Sequence, residues 1–245
     1  MTGAATDKGT NPRPIVGLIV PPAAGDVPPE PPILYPDLDF RARGLALPRL
    51  TPEGYDAVIG RVAEKAAELK ADGAIAISLM GTSLSFYRGA AGNTQVLDAM
   101  HAATGLPVTT MTDSVLAALR ALNVTRLAVG TAYTETVNRA LHDYLTAAGF
   151  EITALEALHL TEVRDIQAVG DADLIALGIR AAKAASGAEA LFISCGGLRT
   201  LPVIVPLETR LDLPVVSSAT AGAWGAAKLA GHTGRADGYG RLMTL

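Results

Sequence analysis

The stretch Ala190-Leu191-Phe192-Ile193-Ser194-Cys195-Gly196-Gly197 passes from four apolar residues to a small polar pair and then to two glycines. That order describes a short buried strand running out into a tight turn, where backbone N–H groups are left free to face an anion. The carboxyl ends of strands are where parallel α/β sheets keep their chemistry. The stretch also holds the only cysteine among 245 residues, so function turns on what faces that thiol.

On both sides of this strand, strands and helices alternate. Downstream, Leu213-Pro214-Val215-Val216-Ser217-Ser218 reads as a strand feeding an Ala-rich helix from about Thr220 to Ala230. Upstream, Asp171 to Ala185 has helical spacing, residues 151 to 160 read as a strand with a loop after it, and Glu135 to Ala148 as a helix ended by Gly149. Arg126 to Gly130 is a strand opening into Thr131-Ala132-Tyr133. Before it come a helix over Thr112 to Leu122 capped by Thr112 or Asp113, a strand over Leu106 to Thr110, and a helix over Asn93 to Thr104 stopped by Gly105. Ala74 to Leu79 is a strand leading into Met80-Gly81-Thr82-Ser83. Thr51-Pro52-Glu53 opens a helix, with Thr as cap and Pro at the first helical position, expected to run through Lys70 with Ala57, Val58, Val62 and Leu69 on its apolar face. Ile15 to Val20 is the first strand, and the seven prolines from Pro21 to Pro36 predict a stiff ordered loop, neither helix nor strand, placed to cover a pocket.

Strands alternating with helices of this length predict an α/β fold with parallel sheets. The chain also echoes itself. Leu106-Pro107-Val108-Thr109-Thr110 matches Leu213-Pro214-Val215-Val216-Ser217, Val16 to Val20 matches Leu127 to Gly130, and Ile75 to Met80 with Gly81-Thr82-Ser83 matches Leu191 to Ser194 with Cys195-Gly196-Gly197. A duplicated unit predicts two pseudo-symmetric lobes, each a mostly parallel sheet flanked by helices, with the active site in the cleft between them and Gly81 opposite Cys195. The first lobe is expected to take residues 14–116 and 220–245, the second 117–219, with a disordered segment over 1–13.

Composition narrows the setting. With 49% hydrophobic residues, 18% charged residues and a net charge of −4, the chain reads as soluble and offers no basic surface for nucleic acid. A lone cysteine cannot form an internal disulfide, which favours a reducing compartment. Residues 1 to 13 lack a signal peptide's apolar core and no run of 18 apolar residues occurs, so a cytoplasmic protein without membrane contact is expected, as a monomer. His101, His142, His159 and His232 lack ligand-like spacing, so no metal is expected. Gly81-Thr82-Ser83-Leu84-Ser85 misses the final Gly of a hydrolase elbow, and no complete nucleotide-binding fingerprint occurs.

The residues of both strand ends resemble those of the aspartate/glutamate racemase superfamily and, within it, the arylmalonate decarboxylase family. The resemblance runs from about residue 14 onward and is carried by Gly17 to Gly25, Leu34-Tyr35-Pro36-Asp37-Leu38, Thr51 to Asp56, Ser78 to Ala90 and Ser194 to Leu198. It implies cofactor-free decarboxylation of α-aryl or α-alkenyl malonates through an enediolate, with Cys195 delivering the proton to one face. It further implies an oxyanion- and substrate-binding set of Thr82, Ser83, Tyr133, Gly196, Gly81, Pro21 and Gly197, and a hydrophobic pocket of Leu47, Leu50, Tyr55, Val163 and Ile166. On the residues alone, Thr82 and Ser83 are equally placed to cap a helix, Tyr133 to be an ordinary loop tyrosine, and the pocket set to be plain core.

The chemistry fits these residue types. An enediolate needs preorganised donors, the departing carboxylate an apolar wall it would rather leave, and the carbanion an acid. An unperturbed thiol is mostly protonated at neutral pH, although a helix N-terminus beside Cys195 would lower its pKa. Glycine at 81 removes the second thiol that two-base racemisation or isomerisation needs. Two other readings stay open: another single-thiol enzyme of the superfamily acting on a small dicarboxylate, and a non-catalytic dicarboxylate binder with Cys195 as bystander.

Overall fold

The computed structural model describes residues 12–245. The disorder expected over residues 1–13 falls almost wholly outside the described residues; Arg13, inside them, donates to the Pro36 carbonyl at 2.7 Å.

Two four-stranded parallel sheets form the frame. The first contains β1 (Ile15–Val20), β2 (Asp39–Gly44), β3 (Ala76–Leu79) and β4 (Val108–Thr110) in the order β2-β1-β3-β4. The second contains β5 (Arg126–Thr131), β6 (Glu151–Ala157), β7 (Ala190–Ser194) and β8 (Val215–Ser217) in the order β6-β5-β7-β8. Each echoed pair read from the sequence therefore takes the same place in its sheet: β1 with β5, β3 with β7, β4 with β8. Every strand pairing is parallel, with Ile77 beside Val108 in one sheet and Leu191 beside Val215 in the other. Central strands are apolar on both faces because helices cover both: Leu18, Ile19, Ile77, Leu79, Phe192 and Ile193 are wholly buried, each burial stabilising by about 1.5–3 kcal/mol.

The helices are α1 (Glu30–Leu34), α2 (Pro52–Ile59), α3 (Val62–Ala71), α4 (Thr82–Phe86), α5 (Gly89–Thr104), α6 (Met111–Ala121), α7 (Glu135–Ala147), α8 (Val163–Gln167), α9 (Asp171–Ala184), α10 (Leu201–Leu211) and α11 (Ser218–Leu229). Thr51 caps α2 by accepting from the Gly54 N–H at 3.2 Å, with Pro52 at the first position. Chain-terminal α11 packs against α1 and α6 and so serves the first sheet as well as the second.

Four readings of the sequence need correction. The Pro-rich segment is not wholly loop, since Glu30, Pro31 and Leu34 fold inward on α1, whose first turn tolerates proline. The helix begun at Thr51 does not run unbroken to Lys70 but stops at Ile59 and restarts at Val62, and Ala57 lies exposed while Val58, Val62 and Leu69 are buried. The cap of α6 is Thr110, whose hydroxyl accepts from the Asp113 N–H at 3.2 Å, rather than Thr112 or Asp113. Strand β2 and helices α8 and α10 were not anticipated.

Candidate active site

Strands β3 and β7 hold corresponding places in the two sheets, and their carboxyl ends deliver Gly81 and Cys195 to one cavity of about 320 Å³. Its walls include Pro21, Leu47, Leu50, Thr82, Ser83, Tyr133, Val163, Ile166, Gly196 and Gly197. Of the residues singled out from the sequence, only Tyr55 is not among the lining. It is fully buried behind the wall, with its ring 4.9 Å from that of Tyr87, and its hydroxyl lies near Ser83 without a hydrogen-bond partner among the described residues.

Cys195 follows the last residue of β7 with φ at 140°, a conformation that only glycine adopts at no cost. The strain is held by its neighbours. Its N–H donates to Ser218 Oγ at 3.2 Å, and its carbonyl accepts from the Leu198 N–H at 3.2 Å. Burial pushes the thiol up to about 11, against the pull of the Gly197 N–H, the Tyr133 hydroxyl and the Leu198 N–H that face the sulfur. The expected helix N-terminus is present, since Ser218 beside Cys195 is the first residue of α11, but burial outweighs it and the thiol rises. The sulfur is thus held as a neutral thiol at neutral pH, with hydrogen-bond donors facing it.

The donors come from both halves. Gly81 is the residue before α4, so Thr82 and Ser83 occupy its first turn, where N–H groups have no partner within a helix. They are not its caps. Thr82 Oγ1 donates to Met111 Sδ at 3.0 Å, and Ser83, 5% exposed, makes no side-chain hydrogen bond to another described residue. Tyr133 reaches the site from the loop after β5, a loop fixed where Asn138 Nδ2 donates to the Tyr133 carbonyl at 3.2 Å and its N–H donates to Thr131 Oγ1 at 3.3 Å. Its ring stands edge-on to Phe86, and its hydroxyl accepts from Ser194 Oγ at 3.3 Å. Burial raises its pKa well above the usual phenol range, so it stays a neutral donor. Gly196 lets the turn pass close to Met111: a Cβ there would sit 2.7 Å from its Sδ, so that side chain would have to shift.

The apolar wall joins two loops. Leu47 and Leu50 lie on the segment after β2, and Val163 and Ile166 on α8; the segments meet where the Leu50 N–H donates to the Thr161 carbonyl at 3.0 Å and Arg49 pairs with Glu162 at 2.7 Å. Pro21 accepts from the Leu47 N–H at 2.8 Å, which ties the Pro-rich segment to the same wall. Sequence reasoning missed Glu30, Asp26, Gln167, Arg199 and Met80, which also line the cavity. Glu30 carried a signal: it is one carboxylate between two proline pairs. The four histidines lie apart, His101 on the Leu106 carbonyl, His142 beside Asp143, His232 beside Asp37, and His159 in a left-handed turn.

Comparison with known proteins gives this geometry a lineage. The family model described as arylmalonate decarboxylase matches residues 16–243. The chain is 51% identical over 231 residues to arylmalonate decarboxylase of Bordetella bronchiseptica, covering 94% of this chain and 96% of that protein. It superposes with a TM-score of 0.91 and 50% identity on a liganded mutant of arylmalonate decarboxylase, over 94% of this chain and 98% of the other. A maleate isomerase of Nocardia farcinica is 27% identical over 242 residues, 93% of this chain and 94% of that protein. The chain belongs to the arylmalonate decarboxylase family.

Proposed function

We propose that the protein decarboxylates α-aryl or α-alkenyl malonates without a cofactor and protonates the resulting enediolate on one face from Cys195. The observation that carries this reading is the company the thiol keeps. A buried S–H group shares one cavity with donors from two loops and an apolar wall, and the matching strand end bears a glycine.

One malonate carboxylate binds to the hydroxyls and N–H groups of Thr82 and Ser83, the Tyr133 phenol and the Gly196 N–H. The other is held toward Leu47, Leu50, Val163 and Ile166, an apolar face of the cavity against which an unpaired charge is costly. Breaking its bond to the α-carbon releases neutral CO₂ and leaves the electron pair shared between that carbon and the bound carboxylate. The donors stabilise this second negative charge. The S–H of Cys195 then protonates the α-carbon, and the thiolate recovers its proton from solvent. Gly81 has no proton to give, so the opposite face stays untouched and a prochiral enediolate yields one enantiomer. Pro21 and Gly197 shape the entry, and Tyr55 acts from behind the wall on the position of Ser83.

A monomeric enzyme in a cytoplasmic setting completes this reading, and such a setting suits a free thiol. The test is CO₂ release from phenylmalonate by the wild type and by Cys195→Ser. A fall of about 10²- to 10⁴-fold on losing the acid is expected; tight binding of phenylmalonate without any turnover by the wild type would instead favour a dicarboxylate-binding protein.

A further inference from the structure

The donor side and the apolar wall leave one part of the cavity unexplained. Glu30, on α1, is 4% exposed and lines the cavity with Arg199, Asp26 and Gln167. Its carboxyl is met by its own backbone N–H and lies in the field of Arg199, yet no salt bridge or hydrogen bond from another described residue reaches it. Holding a carboxyl this deeply buried with no partner from another residue is costly. The same α1 backbone could bury an apolar side chain here, as it does with Leu34. The decarboxylation reading gives Glu30 no task, since a carboxyl group repels a malonate dianion rather than binding it.

Accordingly, we infer that Glu30 is a specificity residue that accepts a hydrogen bond from the substituent on the substrate's α-carbon, so that the cavity favours malonates whose aryl group carries a donor such as a phenolic hydroxyl. The inference rests on the decarboxylase reading for the orientation of the substrate. With the malonate carboxylates on the donors and against the apolar wall, the aryl group is left to point toward the Pro-rich segment and Arg199. Arg199, exposed at the cavity wall, acts on Glu30 through its charge but makes no ion pair with it, which leaves the acceptor open toward the cavity. Asp26 and Gln167 are exposed and mark where this end meets solvent.

The experiment measures Kd by calorimetry for phenylmalonate, (3-hydroxyphenyl)malonate and (4-hydroxyphenyl)malonate on the full chain carrying Cys195→Ser, so that electronic effects on bond breaking do not enter. At least one hydroxylated ligand is expected to bind about tenfold tighter than phenylmalonate, as a hydrogen bond to a charged acceptor provides. Adding Glu30→Leu should bring that ratio to about one. Glu30→Gln, nearly isosteric, serves if the leucine variant does not fold, and should cut the ratio to about threefold or less. Equal affinity for all three ligands, or a preference that survives in the Glu30 variants, would overturn the inference; a merely structural Glu30 would weaken all three ligands together. Phenylmalonate turnover by the wild type, followed in parallel, judges the decarboxylase reading separately, and a chain that binds none of the three ligands overturns both.

Discussion

A thiol that must give up a proton is helped by whatever keeps it neutral, and Cys195 is kept neutral by burial. Its pKa is raised to about 11, so the protonated acid persists through the range where an ordinary thiol ionises, near 8.5. The alkaline limb of kcat/KM is therefore expected close to pH 11, measured with phenylmalonate from pH 7 upward; an inflection at or below about 8.5 would contradict it. The same shift is a stability term: it is fully present below the ordinary thiol pKa and is lost as pH rises through about 11, because the unfolded chain ionises first. Gly81 is the complementary residue. Its φ of −141° suits any side chain, and an added Cβ would lie 2.8 Å from Cδ1 and 3.2 Å from Cβ of buried Leu84, so the end of that side chain must shift to admit it. Gly81→Cys is accordingly expected to fold and to gain measurable racemisation of α-aryl propionates, read by polarimetry or chiral chromatography. A folded variant with none would speak against Gly81 and Cys195 addressing opposite faces.

At the scale of elements, packing between α6 and α11 sets how closely the donor loops approach. Gly225 on α11 lies against Ser114 on α6, where an added Cβ would fall 2.2 Å from Oγ, and that hydroxyl is tied to the Thr110 carbonyl at 2.9 Å. Gly225→Ala should destabilise the fold by about 1–3 kcal/mol, seen as a lowered Tm, since overpacking has no slack to use here; an unchanged Tm would show that the helices move apart freely. The elements legible in the sequence are those with apolar or β-branched runs, β1 and β3 to β8, and helices with a Gly stop, a Thr-Pro start or an Ala-rich, helically spaced pattern. Strand β2 was hidden because it lies at an edge: Asp39-Phe40-Arg41-Ala42-Arg43-Gly44 buries only Phe40 and Ala42 and pairs Arg43 with Glu68 at 3.1 Å. Its counterpart β6 is legible in residues 151 to 160. Helix α10 was masked by Pro202 and Pro206, and the break after Ile59 by the helix-forming residues on either side of Gly60.

For the whole molecule, the duplicated sheets explain why a short list of motifs located the cavity. Equivalent strands end at equivalent places, so finding Cys195 at one end pointed to Gly81 at the other. What stays hidden is set by distant contacts: Tyr55 lies behind the wall with its ring tilted against that of Tyr87, and Glu30 is carried into the cavity by a helix within a proline-rich run. The account stands on a single acid working from one side of the cavity, and the stereochemistry of the product reads that directly. With α-methyl-α-phenylmalonate as substrate, chiral analysis of the 2-phenylpropionate formed by the wild type is expected to show one enantiomer in large excess, with formation of that product falling at least about 10²-fold in Cys195→Ser. Racemic product from the wild type, or undiminished single-enantiomer product from Cys195→Ser, would contradict it.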